Sequence, residues 1–188
     1  MARWDPGAEE RLKRAALELY LEQGYDNVTV TQIAERAGLT RRSYFRYFPD
    51  KREVLFAGSE RLPPALAEAV RTADPDTAPL TAALDALARV GARLVEHADG
   101  AKERRTVIDA SPELQERERT KAAAITAAIR DALKQRHVDA GTADLIAQLA
   151  TMAFHNAFQR WIEAKGRAPF PNCLDAVTDE LRAALGGT

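Results

Sequence analysis

The stretch from Thr29 to Lys51, TVTQIAERAGLTRRSYFRYFPDK, constrains this chain more than any other. Its spacing predicts two short helices joined by a sharp turn. In the first, Val30, Ile33, Ala34 and Ala37 recur at i, i+3, i+4 and i+7, the apolar stripe of an amphipathic helix. Thr29 followed three residues later by Gln32 is a capping-box pair, which sets the helix start. Gly38 suits the left-handed C′ position that ends it. Thr40 then caps a second helix, with Leu39 and Tyr44 at the two positions of a hydrophobic staple. Pro49 stops this helix, because proline pushes the preceding residue out of the helical region. A helix, a glycine-containing turn and a second helix make a helix-turn-helix pattern.

The charge on the second helix gives the pattern its meaning. Between Arg36 and Arg52 the cations Arg36, Arg41, Arg42, Arg46, Lys51 and Arg52 face one acid, Asp50, for a local net charge of +5. The whole chain carries −1, so the cluster is local. Arg41, Arg42 and Ser43 fall in the first turn of the second helix, the part that reaches base edges when such a helix enters a major groove. Tyr44 and Phe48, one turn apart, are expected in the core. Phe45 and Tyr47 are expected to look outward, toward a phosphate backbone. The competing reading is a solvated basic face on an ordinary helical hairpin.

The run TVTQIAERAGLTRRSYFRYFPDKREVLF resembles the signature of the TetR family of bacterial transcriptional regulators. The resemblance is close over the first third of the chain and extends to the remainder only in helical layout. By position it implies that Thr31, Arg41, Arg42 and Ser43 lie near bases or the adjoining backbone. Thr29, Thr40, Phe45, Tyr47 and Lys51 would lie near phosphates. Two positions depart from the family pattern. Phe45 stands where a tyrosine is frequent, which removes a hydroxyl–phosphate hydrogen bond. Arg42 stands where a small residue is common, which adds a long donor.

Composition narrows the setting. With 188 residues, 46% hydrophobic and 29% charged, the chain has room for one compact domain or two small cooperating ones. No apolar run approaches the length of a membrane span, and MARWDPGAEE lacks the apolar core of a signal peptide. Cys173 is the only cysteine, which excludes an intrachain disulfide and fits a reducing cytoplasm. A basic reading head on a mildly acidic body is the distribution expected of a sequence reader.

Asp5 and Pro6 are placed to open a first helix with proline at its N1 position. Leu12, Ala15, Ala16 and Leu19 give its buried stripe, and Gly24 ends it, completing a three-helix head. Arg3, Arg11, Lys13 and Arg14 either brush the DNA backbone or form a solvated face. A fourth helix is expected from Lys51 through Phe56, broken or kinked at Pro63-Pro64. As the exit from the head, it is the expected lever for transmitting movement. Residues 74–79, DPDTAP, read as a linker. Leu80, Leu84, Leu87, Gly91 and Leu94 mark the next helix, and residues 97–100 a break. Helices are expected over 101–110 and 112–137, the latter opening with the polar ELQERERTK as solvated surface. Residues 139–165 form the longest candidate, apolar on two faces: Leu145, Leu149 and Met152 on one, Phe154, Phe158 and Trp161 on the other. A last helix is capped by Asn172 and runs through Leu174, Val177, Leu181 and Leu185. The chain shows no repeat, no low-complexity tract and no convincing strand.

Catalytic and metal chemistry find no support. His97, His137 and His155 lack metal-ligand spacing, and no phosphate loop or nucleophile elbow is present. His155, between large apolar residues, is expected as a core or interface histidine, with a ligand contact as the alternative. Cys173 is expected to be inert. The reading is therefore an all-α, non-enzymatic protein that needs no cofactor and no metal. Residues 1–50 form the DNA-binding domain and residues 51–188 a helical body for ligand binding and dimerisation. The expected partners are a palindromic double-stranded operator and a second copy, packed through residues 139–165 and 172–185 as a four-helix bundle; no membrane is expected. The family resemblance adds a small-molecule effector that releases a repressor from its operator. Phe154, Phe158 and Trp161 either line its pocket or belong to the core. The alternative function is a helical small-molecule-binding or interaction module with little sequence-specific DNA binding.

Overall fold

The computed structural model describes residues 7–96 and 98–186, with the side chain of Leu185 left undescribed. Asp5, Pro6, Arg3 and His97 therefore lie outside the described residues. The chain is all-helical there: α1 (Ala8–Gln23), α2 (Val30–Arg36), α3 (Arg41–Tyr44), α4 (Leu62–Arg71), α5 (Pro79–Val95), α6 (Ala101–Asp109), α7 (Pro112–Gln135), α8 (Ala140–Glu163) and α9 (Phe170–Gly186). Short 3-10 turns cover Tyr25–Asn27, Glu53–Phe56 and Ser59–Arg61. Among the described residues no helix is long and apolar enough to cross a membrane.

Two compact units emerge. The first comprises residues up to Gly58 together with Glu103–Glu118. Its core joins Leu12, Ala16 and Leu19 of α1 to Ile33 and Ala34 of α2, Tyr44 and Phe48, and Val54, Leu55 and Phe56. Val107, Ile108 and Leu114 complete it from α6 and the start of α7. Thus the opening of α7, for all its charge, is not simply solvated surface. Leu114 is fully buried, Arg117 pairs with Glu53, and Glu118 receives Arg105 at 2.8 Å. Arg104 donates to the Leu55 carbonyl at 3.0 Å. Ser111 caps α7, and Pro112 opens it at the position that needs no donor.

The expected helix from Lys51 does not form. The chain instead makes a 3-10 turn over Glu53–Phe56, passes Gly58 at φ 83° and enters α4 at Leu62. Pro63 and Pro64 occupy the first turn of α4, where their missing N–H groups are unpaired in any helix. These prolines start a helix and break none.

The second unit comprises Ser59–Lys102 and Arg119–Thr188. Its core is rich in alanine: Ala143, Ala147, Ala150, Ala153 and Ala157 line one side of α8 and pack with Ala83, Ala86 and Leu87 of α5. Gly91 on α5 makes room for Phe170, since a Cβ there would lie 2.2 Å from the Phe170 ring. Phe170 in turn meets Phe154 with ring centroids 5.4 Å apart. Asp139 caps α8 by accepting from the N–H groups of Gly141 and Thr142, both at 3.0 Å. Helix α9 begins at Phe170, so Asn172 lies inside it and is not its cap. His155 is exposed and not a core residue, while Cys173 is buried, which pushes its thiol pKa up.

Candidate nucleic-acid interface

The reading element is assembled by local chemistry. Thr29 takes the Gln32 N–H on its hydroxyl at 3.3 Å, and the Gln32 side chain returns to accept from the Thr29 N–H at 2.8 Å. Helix α2 closes with Gly38 at φ 70°. The Gly38 N–H meets the Glu35 carbonyl at 3.0 Å and the Leu39 N–H meets the Ala34 carbonyl at 2.8 Å, the two bonds of a Schellman turn. That turn delivers Thr40, whose hydroxyl accepts from the Ser43 N–H at 3.1 Å and pairs with the Ser43 hydroxyl at 2.9 Å. Helix α3 is short, but i+3 and i+4 bonds carry the winding on to Phe48. Tyr44 and Phe48 are buried, and Tyr44 donates its hydroxyl to the Asp50 carbonyl at 3.0 Å.

This frame leaves an outward face. Thr29, Thr31, Thr40, Arg41, Arg42 and Phe45 are exposed, and Ser43 and Tyr47 are half-buried. Arg41 lies over the Phe45 ring at 5.4 Å and Arg46 over the Tyr47 ring at 5.6 Å. Both distances are within cation–π range. Arg46 was not among the candidate contacts drawn from the sequence. It stands one turn after Arg42, and that i, i+4 spacing is the signal that places both on one side of the helix.

The cluster of cations is not uniformly free. Arg36 is held by Glu22 through two bonds of 2.9 and 3.0 Å, with Glu18 at 3.6 Å. Arg52 is held by Asp50 at 2.7 Å, with Glu113 at 3.5 Å. Arg11 donates to the Ala37 carbonyl at 3.2 Å, and Lys13 is paired with Glu9 and Glu10. Arg41, Arg42 and Arg46 form no ion pair with a described residue. Lys51 is engaged too: its ammonium donates toward the carbonyls of Tyr25, Val28 and Asp26 at 2.9, 3.2 and 3.4 Å. Helix α3 and the turn that continues it thus present three arginines free of ion pairs, two of them over aromatic rings; Arg14 on α1 is exposed as well.

The candidate body residues separate. Phe154 is buried in the core, whereas Phe158 and Trp161, stacked at 5.7 Å, are only partly covered against it. Among the described residues no group of three or more His, Cys, Asp or Glu side chains is placed to hold a metal ion.

Comparison with known proteins converges on the same element. The profile described as "Bacterial regulatory proteins, tetR family" matches residues 12–57, the helix-turn-helix and its flanks. The HTH-type transcriptional regulator TcmR of Streptomyces glaucescens is 36% identical over 96 residues, 49% of this chain and 42% of that protein. The aligned stretch therefore spans less than half of that relative. Among solved structures, NalD of Pseudomonas aeruginosa, described as the secondary repressor of a multidrug efflux pump, aligns with a TM-score of 0.61 at 18% identity, covering 92% of this chain and 93% of its own. SmeT in complex with triclosan aligns with a TM-score of 0.60 at 17% identity, covering 93% and 91%; SmeT is described as the repressor of a multidrug efflux pump in Stenotrophomonas maltophilia. Sequence likeness over the head and likeness of fold over nearly the whole length point the same way: residues 12–57 match the helix-turn-helix segment of the TetR family of bacterial transcriptional regulators, and the chain shares its fold with NalD and SmeT.

Proposed function

We propose that this chain is a homodimeric repressor that grips a palindromic operator through α2 and α3 and is released by a small molecule bound in its body. The observation that carries the DNA half is the exposed set Arg41, Arg42 and Arg46, free of ion pairs beside Phe45 and Tyr47. Arg41 and Arg42 suit bidentate contacts to guanine O6 and N7. Thr31 and Ser43 would share the base-facing side, with Thr29, Thr40, Phe45 and Tyr47 toward the backbone. A mobility shift on the DNA upstream of the gene, with and without scrambled competitor, tests this reading. Equal competition by scrambled DNA would instead favour a helical module with little sequence specificity.

A second copy is supported by α8. Leu145 and Met152 are 58% and 45% exposed, and with Leu149 they form an apolar stripe at i, i+4 and i+7. A two-fold axis sets such a stripe against its own copy and matches the two-fold symmetry of a palindrome. Leu145→Glu combined with Met152→Lys is expected to yield monomers in sedimentation at micromolar concentration, while the circular dichroism of the fold is retained. A wild type that sediments as a monomer there would contradict the dimer.

The effector half is supported by family and by fold: NalD and SmeT are repressors, and SmeT was solved with triclosan. Of the three aromatic candidates, Phe158 and Trp161 keep accessible ring surface, as a site for an apolar ligand requires. The effector must bind the DNA-incompetent conformation more tightly, since only differential affinity shifts the equilibrium. Phe158→Ala is expected to reduce the response to an apolar effector with little loss of operator affinity in its absence. A variant that merely lowers stability assigns Phe158 to the core.

A further inference from the structure

Lys51 sits where a phosphate contact would be sought, between the winding that ends at Phe48 and the 3-10 turn that begins at Glu53. Its surroundings say otherwise. The ammonium points inward to the 3-10 turn that precedes α2, donating to the carbonyls of Tyr25 at 2.9 Å and Val28 at 3.2 Å, with that of Asp26 at 3.4 Å. It also lies 4.1 Å from the centroid of the Tyr25 ring, well inside cation–π range. An ammonium has three donors and no acceptor, so these carbonyls use its full capacity. The backbone of the same residue is tied down as well: the Tyr20 hydroxyl donates to the Lys51 carbonyl at 2.5 Å. Burial holds the Tyr20 pKa far above its ordinary value, so this donor never loses its proton in the physiological range.

The N–H groups beside Lys51 are also occupied. Asp50 accepts from the N–H of Arg52 at 2.8 Å and of Glu53 at 3.2 Å on one carboxylate oxygen, while its other oxygen takes the Arg52 guanidinium at 2.7 Å. A phosphate arriving here would meet a carboxylate already seated on the donors it needs.

We propose that Lys51 is a positioning residue of the reading head and makes no phosphate contact. It staples the turn that leads into α2 to the segment that leaves α3, so the two ends of the helix-turn-helix are fixed relative to each other and to α1. Preorganisation of that kind governs how well Arg41 and Arg42 meet base edges, and it adds nothing to the count of neutralised phosphates. The proposal rests on the DNA-binding reading above.

The test compares the full chain with Lys51→Met, which keeps the apolar stem, and Lys51→Arg, which keeps the charge but replaces three convergent donors by a planar fork. Each protein is titrated against a duplex selected from genomic DNA by the wild type and against a scrambled duplex of the same composition. The titrations are run at several salt concentrations and at a temperature where circular dichroism shows all three proteins folded. The staple predicts that both variants lose on the order of tenfold in discrimination between the duplexes, the scale of one good base contact. It further predicts an unchanged slope of log K against log salt and melting points lowered by roughly 5 °C. A phosphate contact predicts instead that Lys51→Met loses about one unit of slope per subunit, that Lys51→Arg restores it, and that melting is unaffected. That result overturns the proposal, as does a lowered melting point with discrimination intact, which would make Lys51 structural only. If the wild type itself fails to discriminate, the DNA reading falls, and undiminished melting points in both variants then overturn the staple separately.

Discussion

At the scale of single residues, the head divides its charges by what they can reach. Arg36, Arg52 and Lys51 are used internally, each satisfied by a carboxylate or by carbonyls, whereas Arg41, Arg42 and Arg46 are left to solvent and a partner. Asp50 is the one acid of the cluster, and its position explains its presence. Burial disfavours its charge, but the Arg52 guanidinium and the N–H groups of Arg52 and Glu53 outweigh that penalty and hold its carboxyl below the ordinary value. A depressed folded-state value means stability that is fully present above the unfolded value, about 3.9, and lost as pH falls through the folded one. Glu22, Asp131, Asp139 and Glu180 are depressed as well, so the informative quantity is a difference. Asp50→Asn is expected to destabilise the chain at pH 7, by a difference that shrinks as pH falls below the unfolded value and through the lower folded one. Urea melts across pH 3–7 check this, and a constant difference at all pH values would contradict it.

At the scale of elements, what was legible in the sequence is what is decided locally. The box of Thr29 and Gln32, the turn at Gly38 and the cap at Thr40 each involve residues within five positions of one another, and all stand in the structure. The burial of Tyr44 and Phe48 followed from helical period alone. Elements decided by distant partners were not legible. The polar opening of α7 belongs to the head because Leu114 enters its core and Arg117 reaches Glu53 across 64 positions, and no local pattern records that. The inward turn of Lys51 depends on carbonyls more than twenty residues earlier. Arg136 is a further case, at the end of α7. Its guanidinium donates to the carbonyls of Ala73 at 2.6 Å, Asp74 at 2.9 Å and Thr77 at 3.1 Å, with that of Val70 at 3.5 Å. One side chain thereby closes the C-terminal end of α4 and shapes the linker to α5. Arg136→Ala is expected to cost about 2 kcal/mol, the scale of hydrogen bonds to a charged group, and Arg136→Lys to recover part of it because an ammonium cannot span the fork. Thermal unfolding of both variants reads the effect; no loss in Arg136→Ala would mean the linker holds its shape unaided.

At the scale of the whole molecule, the two units solve different problems. The head spends its polar residues on caps and staples that give a four-residue helix a defined face. The body uses small residues to bring α5, α8 and α9 close, with Gly91 admitting Phe170, and leaves one apolar stripe of α8 in the open. A fold of this kind serves many ligands, so function has to be argued from the face that the head presents. The central claim, that Arg41 on that face reads sequence, is tested most directly by titrating wild type and Arg41→Ala against the selected operator and a scrambled duplex at several salt concentrations. The account predicts a wild type that prefers the operator by at least about a thousandfold. It predicts that Arg41→Ala loses roughly 1–3 kcal/mol on the operator, relaxes preference at one position in each half-site and changes little on the scrambled duplex. An equal loss of affinity on both duplexes would make Arg41 a phosphate clamp and contradict the account.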